Sequence, residues 1–371
     1  MQTPPHLSRR TVVAAAAAGI VTASASPVRA SGTRARFHTV GRVSRAADGS
    51  VAYTWPGVQF EGRFRGTGVG IVLDDADNDY DVQIDGASAA TLVTPGRTTF
   101  RIENLPDGVH TVRIVKRTES PWAVGRFGGF LPAPEGAVLA APRARGRQIE
   151  FIGDSFTAGY GNLSDTRDCS GNGGVNRNSS ADLAFGALTA RKLDADHQLN
   201  AFSGRGMVRN YNGGGAGTDF RTYYDRALLN VDGDVWRRPD SWRPQVVVIG
   251  LGINDFSTPL HAGERWATED ELTAAYESAY HGFLDKLRAS YGPRTFLVVS
   301  ATDLGNTGVF VQATRRIVEE RNRRGDHRVR HWYYADAGLD HLGCDWHPSL
   351  RDHRIIAGLL GDHLASLPLR W

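Results

Sequence analysis

Two hydrophobic patterns with different periods divide the chain. From about residue 37 to about residue 124, apolar residues alternate with polar ones, as in "YDVQIDG", where Tyr80, Val82 and Ile84 lie on one face of a strand. The Asp-Gly dipeptides at positions 85–86 and 107–108 are typical of hairpin turns between antiparallel strands. The pattern therefore predicts an all-β domain at residues 36–130, of a size that suits a sandwich or jelly roll.

A different pattern begins after residues 131–146, a segment rich in proline, alanine and glycine that we interpret as a linker. Short continuous apolar runs then alternate with stretches of helical period, which is typical of parallel strands buried on both faces. Residues 147–371 are therefore predicted to form an α/β domain with five parallel strands and helices on both faces of the sheet. The five runs are "QIEFIG", "QLNAFSG", "QVVVIGLG", "RTFLVVSA" and "VRHWYYAD".

The first 30 residues have the features of an export signal. Arg9 and Arg10 precede a moderately apolar, alanine-rich run that is too short for a membrane span, and small residues flank a cleavage position at Ala30. We interpret residues 1–30 as a twin-arginine signal peptide; an N-terminal tail without a targeting role is the alternative. Cleavage after Ala30 would remove three arginines and no acidic residue, so the formal net charge of +3 would fall to zero.

The remaining charge and hydropathy exclude several classes of partner. A chain of near-zero net charge has no basic footprint for nucleic acid. No later segment approaches the ~20 apolar residues that a membrane span needs. We therefore expect a secreted, extracellular protein that binds neither nucleic acid nor membrane and is a monomer.

Polar residues follow the apolar runs where open α/β sheets bind ligands, outside the carboxyl ends of the strands. A serine hydroxyl is a poor nucleophile at neutral pH, so acyl transfer by serine needs an imidazole to take the proton and an acceptor to orient that imidazole. The residues at these strand ends include all three types. These residues are Ser155 after the first run, Gly204 after the second, Asn254 after the third, and Asp345, Trp346 and His347 ahead of the last predicted helix.

The candidates divide into a triad and an oxyanion hole. We predict Ser155 as the nucleophile, His347 as the general base and Asp345 as the acceptor that orients the base. The backbone N–H groups of Ser155 and Gly204 and the side-chain amide of Asn254 are the predicted donors to the oxyanion. A side chain at position 204 would obstruct close approach, which favours the glycine found there.

Each assignment has a structural alternative. Ser155 could cap a helix, while Gly204 and Asn254 could serve a tight bend and a strand-end turn. Two other histidines lie near His347, but neither is followed by proline. Trp346 is either an aromatic wall for a sugar ring or a core residue.

The other titratable residues are expected to have structural roles, and no metal or cofactor is expected. Asp154 and Asp255 should hydrogen-bond the loops. The acidic stretch 74–80 lacks the glycine and glutamate of an EF-hand loop, so it is expected to be a solvated turn. Cys169 and Cys344 lack metal-ligand spacing; because both border the predicted site and export allows oxidation, we hypothesise that they form a disulfide.

The four strand-end blocks, in this order, resemble those of the SGNH hydrolases. More narrowly, "GDSFTAGYGN", "SGRGMVRNY", "GLGINDFS" and "DWHPS", following a β-rich module, are similar to carbohydrate esterase family two. The resemblance implies a flavodoxin-like three-layer sandwich preceded by a jelly roll. It also implies removal of O-acetyl groups from plant-wall polysaccharides or related sugar esters, without metal or cofactor.

One position departs from the wider SGNH pattern. That pattern has an aspartate three residues before the histidine, where this chain has Cys344, and the nearest carboxylate is Asp345, two residues before His347. Within the narrower family, either a carboxylate or a backbone carbonyl is thought to orient the imidazole. We favour the carboxylate of Asp345, because a nearby negative charge stabilises a buried imidazolium.

Two function classes follow from the sequence. The first is a secreted serine esterase that acts on acetylated carbohydrate through an acyl-enzyme. The second is a carbohydrate-binding protein whose hydrolase half is inert, although the complete set of Ser155, His347 and Asn254 argues against inertness. Within the enzyme class the rival is a lipid or aryl esterase, which should prefer longer acyl chains, and the sequence has no long apolar lid to cover them.

Overall fold

Two antiparallel sheets occupy the first part of the chain. The computed structural model describes residues 37–305, 308–334 and 338–371, so the interpreted signal peptide lies outside the described residues. The strands of the first part are β1 (Phe37–Val40), β2 (Ser44–Arg45), β3 (Val51–Tyr53), β4 (Gln59–Gly66), β5 (Val69–Asp75), β6 (Asp79–Ile84), β7 (Ala87–Val93), β8 (Gly96–Ile102), β9 (Gly108–Lys116), β10 (Gly125–Pro132) and β11 (Ala137–Val138).

The two sheets pack face to face through their apolar sides. One has the order β1-β4-β9-β6-β7, with β11 paired to β4, and the other has the order β2-β3-β10-β5-β8. Phe60 of β4 stacks on Phe127 of β10 with 4.2 Å between ring centroids, and Phe37 of β1 meets the same ring edge-on at 4.9 Å. The alternating pattern thus buries one face of each sheet, which confirms the predicted β-sandwich.

Parallel strands alternate with helices in the second part. Its elements are β12 (Arg147–Gly153), α1 (Ser155–Ala158), α2 (Gly174–Arg177), α3 (Phe185–Lys192), β13 (Ala195–Ala201), α4 (Phe220–Tyr223), β14 (Val246–Gly250), α5 (Ile253–Phe256), α6 (Glu269–Tyr291), β15 (Phe296–Thr302), α7 (Val309–Arg323), β16 (Val329–Tyr334) and α8 (Leu350–Ala365).

The five strands form one parallel sheet in the order β13-β12-β14-β15-β16. Successive residues of a strand point to opposite faces, so Val247 and Ile249 pack with α6 and α7, whereas Val246 and Val248 pack with α3 and α8. Both faces of the sheet are therefore covered, which explains the continuous apolar runs. The predicted α/β three-layer sandwich is confirmed.

Strand β13 is an edge strand, yet all seven of its residues are buried. It begins at Ala195, three residues before the apolar run in the sequence. Its polar first half is buried because the β-rich part covers it: Asp196 accepts from His38 at 2.9 Å, and Gln198 accepts from Arg42 Nε at 3.3 Å. Polar pairing between the two parts, and not hydrophobicity, thus stabilises the start of this strand.

Further contacts join the two parts through residues that the sequence analysis interprets as a linker. Within 131–146, β10 continues to Pro132 and β11 pairs with β4. Arg145 donates to Glu61 at 3.1 Å and to Asp196 at 2.9 Å. The segment is therefore anchored to both sides, and the described residues from Phe37 onwards form one compact unit.

A buried ion pair crosses the same interface. Arg42, only 1% exposed, donates to Glu150 of β12 at 2.9 Å. The guanidinium lies 4.4 Å from the ring centroid of Tyr224 and 4.5 Å from that of Trp236. An arginine from the β-rich part thus neutralises a glutamate in the central region of the parallel sheet, where an unpaired charge would be costly.

Candidate active site

The predicted nucleophile lies where β12 turns into helix α1. Gly153 ends the strand, and a Cβ atom there would come within 2.1 Å of Thr157 Oγ1, so a larger residue does not fit. Asp154 caps the helix by accepting from the backbone N–H of Phe156 at 3.2 Å. Ser155 is therefore the first residue of α1 and not its cap, which makes the capping alternative wrong; it is 6% exposed.

His347 contacts the hydroxyl of Ser155. Its Nε2 lies 2.8 Å from Ser155 Oγ, a distance that permits proton transfer from oxygen to nitrogen. On the other side of the ring, Nδ1 lies 2.9 Å from the carbonyl oxygen of Cys344 and 3.1 Å from that of Asp345. Carbonyl oxygens only accept, so Nδ1 carries the hydrogen and Nε2 is left as the acceptor for the serine proton.

The carboxylate of Asp345 does not have the predicted contact with the base. It accepts instead from the hydroxyl of Tyr160 at 2.8 Å. The physical reason is the backbone: Asp345 and Trp346 have φ angles of 52° and 64°, in the left-handed region. This turn directs two main-chain carbonyls at His347 and the Asp345 side chain at Tyr160. The prediction that the Asp345 carboxylate orients the imidazole is therefore wrong in this structure.

The surroundings of His347 favour its neutral form. Burial lowers the pKa of His347, although the hydrogen bonds to the two carbonyls and the charge of Asp345 partly oppose that effect. The ring of Tyr160 packs against the imidazole with 4.3 Å between centroids. A neutral imidazole with Nε2 free to accept is the form that a general base requires.

Gly204 lies in the loop after β13, with a φ angle of +77°. This left-handed conformation favours glycine, which has no Cβ to clash with the backbone. A Cβ atom at this position would have no atom of a non-adjacent residue within 4 Å, so within the protein the backbone conformation, and not crowding, favours glycine. The carbonyl of Gly204 accepts from the N–H of Tyr211 at 2.9 Å, which fixes the far side of the loop.

Asn254, in α5 after β14, is 4% exposed and has a fixed orientation. Its Nδ2 donates to Asp154 Oδ2 and to the carbonyl of Arg205, each at 3.1 Å. The amide nitrogen therefore faces both the Ser155 turn and the loop that contains Gly204. Because both acceptors already use its hydrogens, a substrate oxyanion would share one of them.

The two aspartates next to site residues hydrogen-bond the loops, as expected. Burial raises the pKa of Asp154 to about 7 and that of Asp255 to about 6. Asp255 holds the loop after Gly204 by accepting from three successive backbone N–H groups at 2.8–2.9 Å, those of Met207, Val208 and Arg209.

Two more predictions concern the segment before His347. Cys344 is bonded to Cys169, which confirms the hypothesised disulfide, and its carbonyl is one of the acceptors for His347. Trp346 is 66% exposed, so the core alternative is wrong. The guanidinium of Arg167 lies 3.5 Å from the Trp346 ring centroid and holds the indole at the surface beside the base.

Sequence reasoning missed two residues at this site. Tyr160 is five residues after Ser155, within a quoted motif, but nothing in the sequence indicates its contact with Asp345. Glu119, from the loop between β9 and β10, accepts from the backbone N–H of Ser203 at 2.7 Å and from its hydroxyl. It is separated from Ser203 by 84 residues and lies in the other part of the chain, so no local pattern could identify it.

Residues 37–305, 308–334 and 338–371 contain no group of three or more His, Cys, Asp or Glu side chains that could hold a metal ion. No helix within the same ranges has the length and apolar character needed to cross a membrane.

In the acidic stretch 74–80, Asp75 is buried and accepts from Asn78 Nδ2 at 2.8 Å and from the Tyr80 hydroxyl. The expectation of a solvated turn is therefore wrong for Asp75.

Known proteins resemble both parts of this chain. Residues 39–142 match the family model of the carbohydrate esterase 2 N-terminal domain, and residues 149–338 match that of GDSL-like lipases and acylhydrolases. An acetylxylan esterase / glucomannan deacetylase from Cellvibrio japonicus is 38% identical over 328 residues, which cover 87% of each chain.

Solved structures agree over nearly the same length. A carbohydrate esterase whose active site has divergent catalytic and non-catalytic binding functions superposes with a TM-score of 0.83 at 36% identity, covering 91% of this chain and 99% of the other. A family two carbohydrate esterase from Clostridium thermocellum, in complex with cellohexaose, superposes with a TM-score of 0.77 at 29% identity, covering 88% of this chain and 98% of the other. Given the fold, the strand-end blocks and these relatives, the chain belongs to carbohydrate esterase family two and is a carboxylic ester hydrolase.

Proposed function

We propose that this chain is a secreted serine esterase that removes O-acetyl groups from polysaccharides or related sugar esters through an acyl-enzyme. The observation that carries the proposal is the 2.8 Å contact between His347 Nε2 and Ser155 Oγ, with Nδ1 tied to two main-chain carbonyls. Ser155 is the nucleophile and His347 the base, and main-chain oxygens take the place of a triad carboxylate.

In the acylation step, His347 Nε2 takes the proton of Ser155 Oγ while that oxygen attacks the acetyl carbonyl carbon. The carbonyl electron pair moves onto its oxygen and gives a tetrahedral oxyanion. When this intermediate collapses, the bond from carbon to the sugar oxygen breaks. The proton on Nε2 passes to the sugar oxygen, so the free sugar hydroxyl leaves and the acetyl group stays on Ser155.

The deacylation step repeats the same movements with water. Nε2 takes a proton from the water molecule as its oxygen attacks the acetyl carbon. Collapse of the second tetrahedral intermediate breaks the bond to Ser155 Oγ, which recovers its proton from His347. Acetic acid is released and ionises to acetate in solution, and the enzyme returns to its starting state without a cofactor or a metal.

Three donors are proposed for the oxyanion: the backbone N–H groups of Ser155 and Gly204 and the amide of Asn254. Their placement on neighbouring strand ends supports this role, since β12 lies between β13 and β14 in the sheet. Asn254 is held by Asp154 and by the Arg205 carbonyl before substrate binds. Such a pre-oriented donor stabilises the charge as it develops without reorganising.

The proposed substrate class rests on the relatives and on one exposed side chain. A relative of 38% identity is named for acetylxylan and glucomannan, and a similar solved structure holds cellohexaose. Trp346, exposed next to His347, offers an apolar face on which a sugar ring could pack while its acetyl group reaches Ser155. Export is proposed from the twin-arginine motif, and the Cys169–Cys344 disulfide is consistent with an oxidising compartment.

Acetate release from acetylated xylan, acetylated glucomannan and cellobiose octaacetate tests this proposal. The parent should release acetate from sugar esters and hydrolyse p-nitrophenyl acetate faster than esters of longer acyl chains. Ser155→Ala should abolish both activities, and Ser290→Ala, an exposed serine on α6, should keep them. Turnover by folded Ser155→Ala would refute the mechanism. A preference for long acyl chains would favour a lipid esterase, and sugar binding without hydrolysis by the parent would favour an inert binding protein.

A further inference from the structure

The loop between β9 and β10 brings a carboxylate from the β-rich part to the rim of the parallel sheet. Glu119 Oε1 accepts from the backbone N–H of Ser203 at 2.7 Å, and its Oε2 accepts from the hydroxyl of the same serine. Both carboxylate oxygens of Glu119 therefore accept from the same residue, Ser203. Ser203 directly precedes Gly204, so its position determines the direction of the Gly204 N–H group.

The loop that carries Glu119 is itself anchored. Buried Lys116 donates from Nζ to the carbonyl of Thr118 at 2.7 Å and to that of Thr54 at 3.1 Å. On the other side, Asn176 Nδ2 donates to Ser120 Oγ at 3.3 Å. The residues before and after Glu119 are therefore both held, which gives its carboxylate a fixed position against Ser203.

The loop that contains Gly204 is held after the glycine by Asn254 and Asp255. A turn bond runs from the Arg205 N–H to the Phe202 carbonyl at 3.2 Å. Before the glycine, the side chain that holds Ser203 is that of Glu119. Gly204 has a left-handed backbone, and a Cβ there would meet no atom of a non-adjacent residue within 4 Å. Glu119 thus fixes the residue before Gly204, and the Tyr211 N–H fixes the carbonyl of Gly204. Loss of the Glu119 contacts would release Ser203, and glycine, which has no Cβ, allows the peptide that follows Ser203 to take other orientations.

We infer that Glu119 is a positioning residue for ester hydrolysis: its carboxylate fixes Ser203, so that the Gly204 N–H group is directed at the oxyanion. This inference rests on the proposed function, in which Gly204 is an oxyanion donor. The β-rich part thereby contributes to the reaction itself, through a residue that touches neither Ser155 nor His347 among the described contacts.

Three variants separate positioning from folding. Glu119→Ala removes both acceptors and should lower kcat by about 10- to 100-fold with KM changed by less than about twofold, because the oxyanion exists only in the transition state. Glu119→Gln keeps one oxygen acceptor and should recover part of that loss. Glu103→Ala, an exposed glutamate of the same sandwich, is the control and should behave as the parent.

A second measurement reports on the oxyanion donors directly. A boronic acid inhibitor forms a tetrahedral adduct with a catalytic serine, so its inhibition constant should rise in Glu119→Ala by the same factor as kcat falls. A residue that merely stabilises the fold would lower the melting temperature but leave kcat per folded molecule and inhibitor binding unchanged. If Glu119→Ala does not fold, Glu119→Gln and Ser203→Ala decide by the same two readouts.

The outcomes distinguish this inference from the proposed function. If Ser155→Ala is inactive and folded Glu119→Ala keeps kcat within about twofold of the parent, the inference is refuted and the proposed function stands. If Ser155→Ala remains active, both are refuted. A parallel loss of kcat and of boronic acid affinity at constant KM, with partial recovery in Glu119→Gln, supports the inference.

Discussion

Replacing Asp345 with asparagine distinguishes two ways of orienting His347. The two acceptors of Nδ1 are main-chain oxygens, at 2.9 Å and 3.1 Å, and the substitution keeps both. The side chain that changes contacts the Tyr160 hydroxyl instead. In a triad whose aspartate orients the imidazole, the same substitution costs about 10⁴-fold in kcat. Here we expect less than about tenfold in kcat/KM, equivalent to about 1.4 kcal/mol.

The remaining effect of Asp345→Asn should be electrostatic, and its sign follows from the surroundings of His347. The charge of Asp345 raises the pKa of His347 and so opposes the lowering by burial. Removing that charge should lower the pKa of His347 further. The base must be neutral to accept the serine proton, so activity falls where His347 becomes protonated. The acid limb of the pH profile should therefore move to lower pH in Asp345→Asn.

The assay is kcat/KM for p-nitrophenyl acetate measured across the acid limb, for the parent, Asp345→Asn and a control. Asp362→Asn, on the exposed side of α8, removes the same charge far from the site and should leave the acid limb in place. Tyr160→Phe should also stay within about tenfold, since it removes the hydroxyl and keeps the ring against His347. A loss above tenfold in folded Asp345→Asn would refute the main-chain mechanism and restore the carboxylate to the catalytic set.

Three other predictions follow from the described contacts. Asn254→Ala should lower kcat by about 10²-fold at constant KM, measured on acetylated xylan; a change in KM alone would remove Asn254 from the oxyanion hole. Reduction of Cys169–Cys344 should lower both kcat and the melting temperature, whereas Cys169→Ser should already be impaired and insensitive to reductant. Burial alone would raise the pKa of Asp182, but Arg113 and a second arginine outweigh that effect and lower the pKa to about 2. The charged carboxylate therefore stabilises the fold at pH values above the pKa that it has in the unfolded chain. This stabilisation is lost as the pH falls towards 2. In urea unfolding, the stability advantage of the parent over Asp182→Asn should therefore shrink between about pH 5 and pH 2, and a constant difference would contradict the ion-pair argument.

Continuous apolar runs made the parallel sheet predictable, because its central strands are buried on both faces and contain few polar residues. β14 and β15 show this most directly. The start of β13 was not predictable, because Asp196 and Gln198 are stabilised by partners 158 and 156 residues away. A window of neighbouring residues contains no information on such pairs.

The candidate active site also contains features that the sequence predicts and features that it does not. Ser155 and His347 lie in short motifs whose glycine and proline neighbours are fixed by local geometry, and the sequence placed both correctly at one rim. The role of Asp345 depended on left-handed backbone angles at two consecutive residues that are not glycine, an uncommon conformation that the local sequence does not indicate. Trp346 is exposed and its ring contacts Arg167, which lies far from it in the sequence. Neither feature is indicated by the neighbouring sequence.

The sandwich covers edge strand β13, and this affects both aggregation and folding during chain synthesis. The edge of a sheet carries unpaired backbone groups that readily recruit a strand from another chain. Strand β1 packs against β13, and it precedes β13 in the chain, so the protective sandwich can fold before the vulnerable edge is synthesised. Expressing residues 147–371 alone would uncover that edge and leave Glu150 without Arg42, so the hydrolase half should self-associate instead of remaining dispersed.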